Sequence, residues 1–156
     1  MTTDIESWLI DAQGHRLKWV AGEFYVGCQP AANESPISIW MQFAGLPRVR
    51  LFGKPDGWGI GLDEALPTEV DMGSAGRTVI REMAKVNPFL NCMESVLQGA
   101  AWFTSADSPE PVGVRLSFES GGRVLILNWG DELFVDSRPP RDAAPGDLVV
   151  HSVEKG

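Results

Sequence analysis

Cysteine and histidine are scarce in this chain, with two of each among 156 residues. Cys28 and Cys92 cannot build a zinc site without two further ligands, and His15 and His151 stand at opposite ends of the sequence. Nothing frames either histidine as the base of a serine or cysteine nucleophile. Both cysteines sit inside apolar patterns, as reduced core thiols do. Cationic residues are outnumbered too: 13 Lys and Arg against 21 Asp and Glu give a net charge of −8. Such a surface repels phosphate, so nucleic acid is excluded as the expected partner and a basic protein is favoured, although acidity also serves solubility alone. The stretch Met1 to Trp8 has no cationic n-region and no apolar h-region follows it. No run approaches the ~18 apolar residues of a membrane span. A cytoplasmic protein with no membrane partner is the expectation.

Motifs of cofactor and catalytic sites are missing as well. Gly57-Trp58-Gly59-Ile60-Gly61 lacks the GxGxxG spacing, the GK[ST] ending and a following helix, and Gly73-Ser74-Ala75-Gly76-Arg77 fares no better as a phosphate cradle. The neighbouring carboxylates Asp63-Glu64 and Asp131-Glu132 point to opposite faces if they lie on strands. Neither pair then spans a cleft as two glycosidase carboxyls must. No cofactor, metal ligand set or catalytic residue is singled out, and a non-enzymatic protein is expected.

What is present describes a folded domain. Hydrophobic residues make up 44% and charged residues 22%, ordinary values for one globular unit over 1–156. Gly 17 and Pro 11 imply many turns and favour strands over a helix bundle. Trp8 to Val20 reads as a hairpin about Gly14, with Leu17 and Trp19 facing the core. Ala21-Gly22 then turns the chain into a second strand, Glu23 to Cys28, followed by a polar loop from Gln29 to Pro36. Ile37 to Phe43 and Arg48 to Leu51 alternate as strands. Lys54-Pro55-Asp56-Gly57 is a turn, and Trp58 to Leu62 a thin strand beyond it. Glu64 to Gly76 is loop-like. Thr78 to Val86 fits strand or helix, with helical spacing at Val79, Ile80 and Met83. Phe89 to Gln98 predicts the best helix of the chain, started at Asn87-Pro88 and stopped by Gly99. Val114 to Val135 predicts a three-stranded antiparallel meander with an apolar run, Val124 to Leu127, buried on both faces. Residues 137–156 read as a loose strap or tail, in which Leu148-Val149-Val150 supplies an edge strand. No internal repeat is visible. The fold class is α+β, mainly antiparallel sheet with one or two short helices.

The candidate binding surface combines carboxylates with tryptophan. Trp58 follows Asp56-Gly57, and Trp129 precedes Gly130-Asp131-Glu132. A tryptophan beside a turn is harder to bury than one in mid-strand, and an exposed ring among carboxylates suits a basic protein partner. Asp63, Glu64, Glu69 and Asp71 lie in the loop beyond Trp58 and extend this set to one negative face, which would steer a cationic partner. The bland alternatives are rings folded back over the sheet edge and scattered, solvated charge.

The segment from Val112 to Leu133, with Phe118, the Gly121-Gly122 turn, the apolar strand and Asn128-Trp129-Gly130-Asp131-Glu132, resembles the C-terminal half of small bacterial immunity proteins. Asp71-Met72-Gly73 followed by Gly76 belongs to the same pattern. Immunity proteins of this kind are antidotes to contact-dependent or secreted polymorphic toxins. The resemblance covers about a third of the chain and carries over no site residues. It implies a non-enzymatic protein that binds a cognate, basic toxin domain and blocks it. Two other readings stay open: a small-ligand-binding module with tryptophans lining a pocket, and an enzyme with an unrecognised site.

Overall fold

A computed structural model of the chain describes residues 4–27 and 35–154. Cys28 and most of the loop expected from Gln29 to Pro36 lie outside them. The described chain is α+β and mostly strand. One helix, α1 (Ile5–Ala12), precedes ten strands in two sheets. The first sheet holds β1 (Leu17–Val26), β2 (Ser38–Phe43), β3 (Val49–Gly53), β4 (Ile60–Asp63) and β5 (Arg77–Glu82). The second holds β6 (Leu97–Ser105), β7 (Pro111–Phe118), β8 (Arg123–Trp129), β9 (Glu132–Asp136) and β10 (Leu148–Val153). The orders are β4-β3-β2-β1-β5 and β10-β6-β7-β8-β9. In each, four strands meander and the fifth returns to the free side of the first, with every pair antiparallel. No repeat shows in the sequence, yet the two halves share one connectivity.

Period-two alternation builds the core between the sheets. Ile39, Met41 and Phe43 of β2 and Leu17 and Val20 of β1 join Val114, Leu116 and Phe118 of β7 and Val124 and Ile126 of β8 in one buried cluster. The ring of Phe43 stacks on that of Phe118 across the two sheets, with centroids 6.4 Å apart. Helix α1 adds Ile5, Trp8, Leu9 and Ala12, and Trp8 meets Phe43 edge-on at 6.1 Å. Burying such a ring stabilises the fold by roughly 1.5–3 kcal/mol.

The connection before each fifth strand covers its own sheet. Segment 64–76 passes over Trp40, whose Nε1 donates to the Ala65 carbonyl at 2.8 Å. Segment 137–147 passes over the outer face of the second sheet, where Pro139, Ala143 and Pro145 border Phe103 and Leu125. Leu125 and Leu127 pack on this outer face, while Val124 and Ile126 enter the main core. The run Val124 to Leu127 is therefore buried on both sides, as its composition implies.

Several local expectations are corrected. Trp8 to Val20 is not a hairpin. Asp4 caps α1 by accepting the Glu6 N–H at 2.8 Å, and Ile5, Trp8, Leu9 and Ala12 form its buried stripe. Ala21-Gly22 is no turn: β1 runs unbroken from Leu17 to Val26. Trp19 is half-buried rather than core, with the Arg48 guanidinium 4.5 Å from its ring centroid. The helical spacing from Thr78 is overruled by β5, which pairs with β1 along its whole length. The helix expected at Phe89 to Gln98 shrinks to a 3-10 turn at Phe89–Asn91. Glu94 takes a positive φ of 62°, which ends any helical continuation, and β6 begins at Leu97. The meander is present as β7, β8 and β9, and the edge strand at Leu148 is β10, paired with β6. Residues 148–153 are thus strand rather than loose tail.

An acidic tryptophan cleft as candidate functional site

Two turns, one from each sheet, build the site. In the β3–β4 turn, Asp56 Oδ1 accepts the Trp58 N–H at 2.8 Å and the Gly59 N–H at 3.0 Å. These two donors, Gly59 first and Trp58 second, hold the Asp56 carboxyl below its usual range. Gly57 supplies the left-handed conformation, φ 80°, that closes the turn. The chain so bent throws the Trp58 ring outward, where it is 72% exposed.

In the β8–β9 turn, Trp129 pairs with Glu132 across Gly130 and Asp131, whose φ values are 62° and 63°. Two positive φ values in a two-residue loop match the right-handed twist of the flanking strands. The turn sets Asp131 opposite Gly57. Trp129 is half-buried, and its Nε1 donates to Asp142 Oδ1 at 3.0 Å, which pins the 137–147 strap beside the turn. In that strap Asp147 Oδ2 accepts the Ala144 N–H at 2.7 Å.

Two contacts tie the turns' sheets together. The buried Asn128 donates from Nδ2 to the Gly59 carbonyl at 2.9 Å. Lys54 Nζ lies 2.7 Å from Glu110 Oε1.

Between the turns lies an open cleft of about 650 Å³. Five exposed aspartates line it: Asp56, Asp107, Asp131, Asp142 and Asp147. Trp58 and Trp129 supply its aromatic walls, and no lysine or arginine is among its lining residues. Like charges in a concave, partly apolar wall raise one another's potential and concentrate the field on an incoming cation.

Of the sequence candidates, Asp56, Trp58, Trp129 and Asp131 meet here. The others do not line the cleft. Glu132 borders a neighbouring groove with Leu133. Asp63 is bound by Arg50, at 2.9 Å to Nε and 2.5 Å to Nη2. Burial pushes the Asp63 carboxyl up, but the Arg50 guanidinium and the Ala65 N–H outweigh it and leave the value lowered. Glu69 Oε2 accepts the Ile80 N–H at 2.8 Å, and Asp71 Oδ1 accepts the Gly73 N–H at 2.8 Å. Glu64 is exposed on the same segment. Asp63, Glu64, Glu69 and Asp71 thus lie outside the cleft lining, on the segment that leads from β4 to β5.

No local sequence pattern marks Asp107, Asp142 and Asp147. They sit in the β6–β7 turn and in the strap, and only the fold brings them to Trp129. Neither histidine lines the cleft; His151 stacks on Trp102 at 4.2 Å, and His15 Nδ1 lies 2.7 Å from the Ala44 carbonyl. No group of three or more metal-ligating side chains occurs among the described residues. No helix among them is long and apolar enough to cross a membrane. Comparison with protein-family models, with curated proteins and with solved structures finds no match.

Proposed function

We propose that the chain is a binding protein whose cleft between Trp58 and Trp129 receives a cationic segment of a protein partner. One observation carries this reading: five aspartates and two tryptophans converge on one concavity with no cation among its lining residues. A lysine or arginine entering it would meet carboxylates on several sides and an indole face, a contact worth about 0.5–2 kcal/mol beyond the charge pairing. An exposed tryptophan held on a hydrogen-bonded turn loses little entropy on binding. The resemblance at Val112 to Leu133 gives the partner a class. On that basis the chain is an immunity protein and the partner the basic catalytic domain of its cognate toxin, held in the cytoplasm of the producing cell.

The test is a pull-down of the product of the adjacent gene with the tagged protein, repeated across a salt series. A complex that weakens steeply with salt supports the reading. No complex with any neighbouring toxin-like domain overturns it.

A second reading rests on the volume of the cleft, which falls in the roughly 300–1,000 Å³ range of small-molecule sites. A small organic cation would then be the occupant. Two of the six tryptophans line the cleft, whereas Trp8 and Trp40 are buried in the packed interior. Saturable binding of free arginine or a diamine that survives loss of the protein partner would favour it.

A further inference from the structure

The acidic cleft does not end at the β8–β9 turn. Asn128 and Asp131 line both it and a second groove of about 310 Å³, which continues past Glu132 and Leu133. That groove shares Phe24, Pro36 and Leu133 with a third, of about 400 Å³, which reaches Val135. The three form one path along β9.

β9 is the last strand of its sheet. The two-residue turn fixes which way its backbone groups point. Trp129 and Glu132 close the turn as a hydrogen-bonded pair, so alternation gives Phe134 and Asp136 to β8 as well. Leu133 and Val135 therefore direct their N–H and C=O groups away from the sheet and into the groove. Among the described residues no strand pairs with that edge. The outer edge of the first sheet at β5 is treated differently. There the Thr78 N–H meets the Val70 carbonyl at 2.8 Å, and the Ile80 N–H meets Glu69 Oε2 at 2.8 Å. An edge blunted in this way cannot template a further strand, whereas among the described residues nothing pairs with the outward ladder groups of β9.

We infer that the edge of β9 takes an extended segment of the cationic partner as an added strand, with the segment's basic side chain seated in the acidic cleft. This rests on the reading of the cleft given above. Backbone pairing with Leu133 and Val135 would supply affinity, and the aspartates would fix register through one charged residue. Every strand pair in the fold is antiparallel, and β9 runs away from the cleft. An antiparallel added strand thus arrives at the cleft with its C-terminal end, so the basic residue stands last.

The probe is a capped seven-residue peptide of alternating valine and threonine ending in arginine. It is titrated against the full chain by calorimetry, and amide exchange is followed at Leu133 and Val135. The expected result is slowed exchange at both amides and at least a tenfold loss of affinity in Val135→Pro. Proline at an outward-facing position of an edge strand removes no ladder bond, and the thermal midpoint of the free variant checks that it folds. If that variant does not fold, methylating alternate peptide amides supplies the same loss from the other side. Trp58→Ala is expected to weaken binding by at least tenfold as well. Binding that ignores Val135→Pro and leaves both amides unprotected overturns the added strand while keeping the cleft. Protection that ignores Trp58→Ala keeps the strand and overturns the cleft. No binding at millimolar peptide overturns the added strand, and a Trp58-sensitive hexa-arginine titration then decides the cleft alone.

Discussion

The carboxylate of Asp131 faces Gly57 across the two sheets: a Cβ built on Gly57 would stand 3.6 Å from Asp131 Oδ1. Equivalent hairpins, third strand to fourth in each sheet, thus meet at their turns, and the cleft is the space they leave. That distance is ordinary contact, so space for a methyl group exists. The φ of 80° is the constraint. Gly57→Ala is expected to cost about 1–2 kcal/mol, the price of a left-handed conformation for an L-residue, read from urea unfolding. A change within a few tenths of a kcal/mol would show that the turn relaxes freely.

Asn128 is the buried link between the halves. Removing its side chain takes one of two donors from the Gly59 carbonyl, which accepts Asn128 Nδ2 and the Lys54 N–H, each at 2.9 Å. Asn128→Ala is expected to destabilise the chain by about 0.5–1.5 kcal/mol, the net value of one hydrogen bond, because the Gly59 carbonyl keeps the Lys54 N–H. Denaturant midpoints of the two proteins check this.

Asp56 makes the turn sensitive to acid. Its folded value lies below the ordinary 3.8 because the Gly59 and Trp58 N–H groups favour the carboxylate. A lowered folded value means stability that is complete above the unfolded value and is lost as pH falls through the folded one. Wild type should therefore exceed Asp56→Ala in stability near neutral pH. The gap should narrow as pH falls below the ordinary carboxylate value. Unfolding curves at both ends of that range test the sign, and a gap that widens in acid would contradict it.

Cys92 is fully buried, and burial pushes its thiol up to about 11. Thiolate is the reactive form, so the folded protein should resist alkylation near pH 8. In a Cys28→Ser background, mass spectrometry is expected to find Cys92 labelled only after denaturation.

The legible parts of the fold were those whose pattern is local. β2, β3 and the β7–β8–β9 meander show alternation bounded by turn residues, which places all of them. The failures have physical causes. Trp8-Leu9-Ile10 reads as a strand because three apolar residues are consecutive. The spacing Ile5, Trp8, Leu9, Ala12 behind Asp4 is the helical signal that should have decided it. Phe89, Leu90, Cys92 and Met93 do share a helical face, but long-range pairing of β6 with β7 and β10 claims the chain from Leu97 onward. Half of the site was legible on the same terms. Asp56 with Trp58, and Trp129 with Asp131, are neighbours on turns. Asp107, Asp142 and Asp147 join them only through tertiary folding, whereas Asp63, Glu69 and Asp71 lie outside the cleft lining, paired with Arg50, Ile80 and Gly73.

The most direct test is the affinity of the adjacent-gene toxin domain for the wild type and for Trp58→Ala. The Trp58 side chain is 72% exposed, so its loss should change stability by no more than about 0.5 kcal/mol. A central aromatic anchor is worth about 2 kcal/mol or more, so binding is expected to weaken at least thirtyfold at an unchanged thermal midpoint. Equal affinity in the two proteins would contradict a partner seated in the cleft between Trp58 and Trp129.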